Sequence, residues 1–217
     1  MKIKWNGHAS FTITAADGTV LVTDPYDPNG YDGALQYTEV TDRADGAVVS
    51  HDHADHNYVQ GLSGNPRIIK GSDNIKNINI KGIETFHDES GGSERGKNVV
   101  FIINIDGIRV CFCGDLGHQL SDEQINTAGE IDIMLVPVGG FFTLDAEGAS
   151  KLVAAIRPKI VIPMHYKTSK CGFPISNAEP FLSLMKDIKK LDKSEIEITA
   201  DQLPETGPET WVLTHAC

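Results

Sequence analysis

The sequence predicts a mixed α/β fold in which helices cover β-sheets. Three observations predict it. Apolar, β-branched runs far outnumber helical patterns. The runs come first along the chain and then alternate with helical segments. One pair of them flanks Asp106-Gly107, a strong signal for a two-residue hairpin.

In chain order the predicted strands are Lys2–Trp5, Ser10–Thr14, Val20–Thr23, Ala47–Ser50, Ile78–Phe86, Val99–Ile105, Arg109–Cys113, Ile131–Val136, Lys159–Met164, Glu195–Thr199 and Thr210–Thr214. Helices are fewer. Ala149, Leu152, Val153 and Ile156 recur at helical spacing, and Pro158 stops that run. Ser176 with Glu179 reads as a capping box ahead of Phe181, Leu184, Met185 and Ile188. Ser121 with Gln124 reads as a second, shorter one. A short helix is also expected from Asp55 onward, with Tyr58, Val59 and Leu62 as its apolar positions. There is no linker, no low-complexity tract and no repeat, so one domain is expected over residues 1–217.

Composition narrows the function classes. Hydrophobic residues make up 40% and charged residues 23% of the 217, ordinary values for a globular chain able to bury a sizeable core. The formal net charge of -11 argues against duplex nucleic acid as a partner, because phosphate binding rests on Lys and Arg. No apolar stretch approaches the roughly 20 residues of a membrane span. The N-terminus lacks the apolar h-region of a secretory signal. The four cysteines (Cys111, Cys113, Cys171, Cys217) contain no CxxC pair, and Cys111 and Cys113 share one strand face, poorly placed to bridge. A cytoplasmic chain with reduced thiols is the expectation.

The stretch that carries chemistry is Ser50-His51-Asp52-His53-Ala54-Asp55-His56, directly after an apolar strand. His51 and His53 are two apart, so in extended backbone both imidazoles project to one side and can share a cation. Asp55 and His56 can serve a neighbouring position. Three His and two Asp in six residues are poorly explained as a polar loop with chance histidines. Neutral imidazole and carboxylate suit zinc, with iron and manganese as competitors. Further candidates, His87, Asp115 and His165, lie just past the ends of predicted strands, where ligands are held rigidly at one rim of a sandwich.

His51-x-His53-x-Asp55-His56, then His87, Gly114-Asp115 and Pro163-Met164-His165, in that order, resembles the metallo-β-lactamase superfamily. Gly7-His8-Ala9-Ser10-Phe11, Thr23-Asp24-Pro25, Cys113-Gly114-Asp115-Leu116-Gly117-His118, Pro137-Val138-Gly139-Gly140 and Ile162-Pro163-Met164-His165-Tyr166 are similar to its small lactonase-like branch, which includes ascorbate-6-phosphate lactonase. The resemblance implies a four-layer αββα sandwich with a two-metal site at its rim. It implies that His51, His53 and His87 bind a first metal, that Asp55, His56 and His165 bind a second, and that Asp115 bridges them. Two Zn ions are the implied cofactors, with Mn or Fe as alternatives. The chain departs from the branch at Phe86-His87-Asp88-Glu89-Ser90, where many members carry Gly-His-Thr-x-Gly.

Other residues are weighed for supporting roles. His8 and Asp24 are candidates to orient metal ligands. His118 and Thr143 are candidates to line the substrate pocket, the latter from the Gly139-Gly140-Phe141-Phe142-Thr143 loop. Arg95 and Lys167 could clamp an anionic substrate, although each alone reads more readily as a solvated surface charge. His215, in the tail, has no expected role.

The expected function is a metal-dependent hydrolase of a small ester, lactone or phosphodiester. A metal-bridging hydroxide would attack, with Asp55 orienting it and carrying its proton. The expected partner is a small-molecule substrate, with no membrane and with homo-oligomerisation left open. A nuclease or RNA-processing phosphodiesterase is the rival enzyme reading, and a metal-stabilised binding module without turnover is the rival outside enzymes. An oxygen-reducing diiron site would typically carry Glu where this chain has His53. Gly-x-Ser-x-Gly, the signature of a covalent serine nucleophile, is absent.

Overall fold

Each of the eleven apolar runs folds as a strand, within one or two residues of its expected ends, in a computed structural model that describes Met1–Cys217. The strands form two sheets. The first holds β1 (Lys2–Gly7), β2 (Ser10–Thr14), β3 (Val20–Thr23), β4 (Gly46–Val48), β5 (Arg67–Ile69) and β13 (Glu195–Glu197), in the order β13-β1-β2-β3-β4-β5. The second holds β6 (Asp73–Ile75), β7 (Ile78–Phe86), β8 (Lys97–Ile105), β9 (Ile108–Phe112), β10 (Ile133–Pro137), β11 (Ile160–Met164), β12 (Ile188–Lys190) and β14 (Glu209–Val212), in the order β12-β14-β11-β10-β9-β8-β7-β6. Strands β5, β6 and β12 have only three residues each and lie at sheet edges, too short and too polar to stand out in the sequence.

Side-chain alternation explains the layers. Leu21 and Val48 join one cluster of 48 buried residues, which also contains Trp5 and Phe11 of the first sheet and Phe101 and Phe112 of the second. Their chain neighbours Val22 and Ala47 point the other way, into a separate cluster of ten with Tyr26, Leu35, Tyr37 and Leu62. The first sheet is therefore covered outside by the loops of residues 24–62, with short 3-10 turns at Tyr31–Gly33 and Val59–Gly61. Strands β10 and β11 are buried along their whole length, as befits continuous apolar runs covered on both faces. Asp106 and Gly107 both adopt positive φ in the β8–β9 hairpin, as a two-residue turn of this kind requires.

The helices partly follow expectation. Helix α1 (Asp122–Ala128) starts with the Ser121–Gln124 capping box. Helix α2 (Ala146–Ile156) is capped by the Asp145 carboxylate, which accepts from Gly148 N, and forms the crossover between the parallel strands β10 and β11. The expected Ser176–Glu179 box does not form. Asn177 Oδ1 accepts from Glu179 N instead, and α3 spans only Glu179–Leu182. Ile188 then begins the edge strand β12, because Asp187 at φ 36° turns the chain away from a helix. The helix expected after Asp55 is a tight turn, with His56 N and Asn57 N both donating to His53 O. Tyr58 N is drawn to Pro25 O, so the chain leaves the helical path there. No helix is long and apolar enough to cross a membrane.

This topology gathers the candidate ligands at one rim. Strands β9, β10 and β11 run parallel, and β7 lies two antiparallel steps from β9, so all four point the same way. His87, Asp115 and His165 follow the C-terminal ends of β7, β9 and β11. His51 to His56 follow the C-terminal end of β4 in the other sheet. Ligands in such sheets sit outside the carboxyl ends of strands for this reason.

Candidate metal centre

The side chains of His51, His53, Asp55, His56, His87, Asp115 and His165 converge on this rim. Asp115 Oδ2 lies 3.1 Å from His56 Nε2, 3.1 Å from His87 Nε2 and 3.2 Å from His165 Nε2. His51 Nε2 and His53 Nδ1 face each other at 3.0 Å. His56 Nε2 is 3.4 Å from Asp55 Oδ2. These are the separations of donor atoms sharing a cation: four ligands about 2.1 Å from a tetrahedral zinc stand about 3.4 Å apart.

Hydrogen bonds behind the ligands turn their free nitrogens inward. The Ser50 hydroxyl donates to Asp24 Oδ2 at 2.6 Å, which leaves its oxygen to accept from His51 Nδ1 at 2.9 Å. His56 Nδ1 donates to Asp24 Oδ2 at 2.8 Å. His87 Nδ1 donates to the Phe142 carbonyl at 3.0 Å. With Nδ1 protonated, each of these rings offers its Nε2 lone pair to the centre.

The fit to metal shows in what is left unpaired. His56 Nε2, His165 Nε2, Asp55 Oδ1 and Asp115 Oδ1 are buried without a hydrogen-bond partner. Buried polar atoms without partners are costly, and a cluster of them aimed at one point calls for a cation. Ligating atoms of His8, Asp55, His56 and His165 lie within 4.8 Å of one another, as do those of His51, His53 and His87.

The electrostatics are those of a site short of positive charge: burial would lower His56 and His87, but the Asp115 carboxylate outweighs it and holds both above the usual imidazole range, so a metal would take the place of their protons. Burial, reinforced by the charge of His56, pushes His51 down to about 2, so its ring is neutral and able to accept a cation. Burial would raise Asp115, but His165, His56 and His87 outweigh it and hold the carboxyl well below its usual range. Asp55 behaves alike: burial opposes ionisation and His56 overcomes it.

The backbone is shaped to fit. His8, Asp24 and His165 all have positive φ (51°, 35° and 51°), a costly state for non-glycine residues that persists where surroundings enforce it. Two glycines let loops press on the ligands. A Cβ on Gly117 would stand 2.4 Å from the His87 carbonyl carbon, and one on Gly139 would stand 2.3 Å from the His165 oxygen.

Comparison with known proteins places this geometry. A family model described as the β-lactamase superfamily domain matches residues 2–165. A crystal structure of a proposed Zn-dependent hydrolase of the metallo-β-lactamase superfamily from Thermotoga maritima is 35% identical, covering 98% of this chain and 97% of that one, at a TM-score of 0.80. The chain belongs to the metallo-β-lactamase superfamily. Curated relatives include a UPF0173 metal-dependent hydrolase from Hyperthermus butylicus, 29% identical over 93% of this chain and 97% of its own length. Another is the counterpart from Archaeoglobus fulgidus, 27% identical over 90% of this chain and 92% of its own.

Around the superfamily's rim, the supporting residues divide. Asp24 is fully buried and also accepts from Ser50 N at 2.8 Å, so it steadies both His51 and His56. Outer partners of this kind commonly contribute 10–100-fold in metal affinity. Asp24→Asn is therefore expected to weaken metal binding by about that factor, read from chelator competition. An unchanged affinity would remove Asp24 from this role. His8 is fully buried with Nε2 3.1 Å from Asp55 Oδ2, beside the candidate ligands.

His118 does not line the cavity. Its Nε2 accepts from Phe86 N at 3.0 Å and its Nδ1 donates to Gln119 O, so it steadies the strand end that carries His87. Lys167 does not line that cavity either; its Nζ donates to Phe173 O at 2.7 Å and holds that loop. His215 packs edge-on against Trp5 and Tyr37. The departure at Asp88 has a local reason: its carboxylate accepts backbone N–H bonds from Ser90, Gly92, Glu94 and Arg95 and shapes the loop after His87.

A cavity of about 280 Å³ opens onto the centre between Tyr31, Phe142, Phe173 and Arg95, reaching His53, Asp55, His87, Asp115 and His165. Thr143 lies further out, in an adjoining cleft that shares Glu94, Arg95 and Phe142 with this cavity. Tyr31 and Phe173 escaped the sequence reading. Each follows a glycine in a polar loop, Gly30-Tyr31 and Gly172-Phe173, which is the only local signal they carry.

Proposed function

We propose that the chain is a metal-dependent hydrolase acting on a small ester, lactone or phosphodiester. The carrying observation is the set of buried, unpartnered donor atoms on His56, His165, Asp55 and Asp115 at the foot of an open cavity. In this reading His51, His53 and His87 hold one ion, Asp55, His56 and His165 hold a second, and Asp115 serves both. The chemistry of the donors suits two Zn ions, with Mn or Fe as substitutes.

Bound divalent cations would lower the pKa of water towards about 7 and polarise the electrophilic oxygen of the substrate. The chain's own residues do the rest. Asp55 stands in the cavity wall, tied through Oδ2 to His8 and with Oδ1 free, placed to orient the attacking water and pass its proton to the leaving group. Asp24 and Ser50 hold His51 and His56 in the ligating tautomer. Phe142 and Phe173 wall the cavity and limit water. The small, open cavity supports a small-molecule substrate and turnover, since a purely structural site is closed on all sides. The net charge of -11 speaks against nucleic acid.

Elemental analysis of the purified protein, followed by a screen against lactones, thioesters and bis-(p-nitrophenyl) phosphate, tests the reading. About two transition-metal ions per chain and hydrolysis of at least one class are expected. Absence of bound metal even after reconstitution would sink it.

A further inference from the structure

The centre lies between two surfaces of opposite charge. On the His51 and His53 side, a groove of about 370 Å³ is lined by Lys70, Arg95 and Lys97, with Asp52 as its single carboxylate. Asp52 is already engaged by the Lys70 ammonium. Lys97 makes no ion pair, and the Arg95 guanidinium, which also lies 5.8 Å over the Phe142 ring, has Glu94 at 3.5 Å as its one ion-pair partner. On the other side, the cleft that holds Thr143 is lined by Glu89, Glu94, Asp145 and Glu147 against Arg95 and Lys151. Arg95 borders both surfaces and the cavity over the ligands as well. Three cations around one groove stand out in a chain with 30 acidic and 19 basic residues.

The geometry points to an anion subsite formed by Lys70, Arg95 and Lys97, which seats a phosphomonoester or carboxylate group of the substrate beside His53 while the scissile bond lies over the ligands. This deepens the proposed hydrolase reading and rests on it for the position of the scissile bond. The acidic cleft fixes the orientation. An anionic end is repelled by Glu89, Glu94 and Glu147 and drawn to the groove, so the uncharged part of the substrate lies against Phe141 and Phe142. Lys70 and Lys97 are exposed, and their charges are partly screened by salt. A bound anion that contacts them directly is screened less, because charge-assisted hydrogen bonds are short and strong.

The test compares metal-loaded wild type with Lys97→Gln, the double variant Lys70→Gln/Lys97→Gln and a remote control, Lys193→Gln. Two substrate pairs are used: p-nitrophenyl acetate with mono-p-nitrophenyl succinate, and a γ-lactone with and without a phosphomonoester. The readout is the ratio of kcat/KM for the anionic member to that for the neutral member. The ratio should fall about tenfold in Lys97→Gln and up to about a hundredfold in the double variant, mainly through KM, and hold in the control. Whichever pair shows the larger drop identifies carboxylate or phosphomonoester as the natural group. Calorimetric titration with inorganic phosphate is the second arm. Its affinity should drop in the lysine variants and fall with added salt. If no ester or lactone is turned over but phosphate binding still depends on Lys97, the hydrolase reading fails and the subsite stands. Equal ratios in all four proteins, or phosphate binding that ignores both lysines because the anion sits on the metals alone, would overturn the subsite. Circular dichroism confirms that the variants are folded.

Discussion

Asp55→Asn is expected to keep the fold and lose about 10²–10⁴-fold in kcat, the range of a positioned general acid–base group. The substitution is close to isosteric, and Asp55 lies in a turn after β4 rather than within a strand. The amide differs where it matters. It carries no charge to balance His56, 3.4 Å away, and takes up no proton at neutral pH. Its NH2 group would also face a donor wherever the carboxylate now accepts from His8. The loss belongs in kcat rather than KM, because the interaction is made with the reacting water and not with remote parts of the substrate. Steady-state kinetics on a substrate found by the screen, with metal content measured on the same sample, decide it. A wild-type kcat with a full metal complement would falsify the role.

Chelation is expected to have a still larger effect, bringing hydrolysis down to the uncatalysed rate, with recovery on adding Zn. No serine-nucleophile motif exists, and Cys111 and Cys113 are fully buried. Cys171 is buried too, which pushes its thiol up and away from the reactive thiolate. Stripping metal also leaves Asp55, Asp115 and four buried imidazoles to share a few protons in a dry space. Activity that survives exhaustive chelation, verified by elemental analysis, would contradict a metal-centred mechanism.

The candidate ligands were legible because their chemistry is local: four of the seven sit in His51–His56 and the other three just after strands with strong apolar patterns. Asp24 was readable only as a candidate, since its link to His56 spans 32 residues and depends on how β3 and β4 pair. His118 misled for the opposite reason. Its closeness to Asp115 in sequence suggested the pocket, but the chain turns at Gly117 and sends the ring to the Phe86 backbone. Tyr31 and Phe173 reach the cavity from loops whose course is set by packing on the first sheet, and no periodicity announces that. The Ser176–Glu179 pattern had the right residues for a cap, yet Asn177 competed successfully for the same backbone donor.

The ligands are split between the two sheets. His51 to His56 hang from β4, whereas His87, Asp115 and His165 hang from β7, β9 and β11. On the proposed assignment, each ion would therefore tie one sheet to the other across the open rim of the sandwich. A cation held in this way acts as a crosslink as well as a reagent. The favourable linkage is about 2.7 kcal/mol when free metal exceeds its dissociation constant a hundredfold. On that assignment the mouth of the sandwich and its reacting centre would share one fastening: whatever loosens the sheets at this edge would dismantle the centre, and whatever fills the centre would draw the sheets closed.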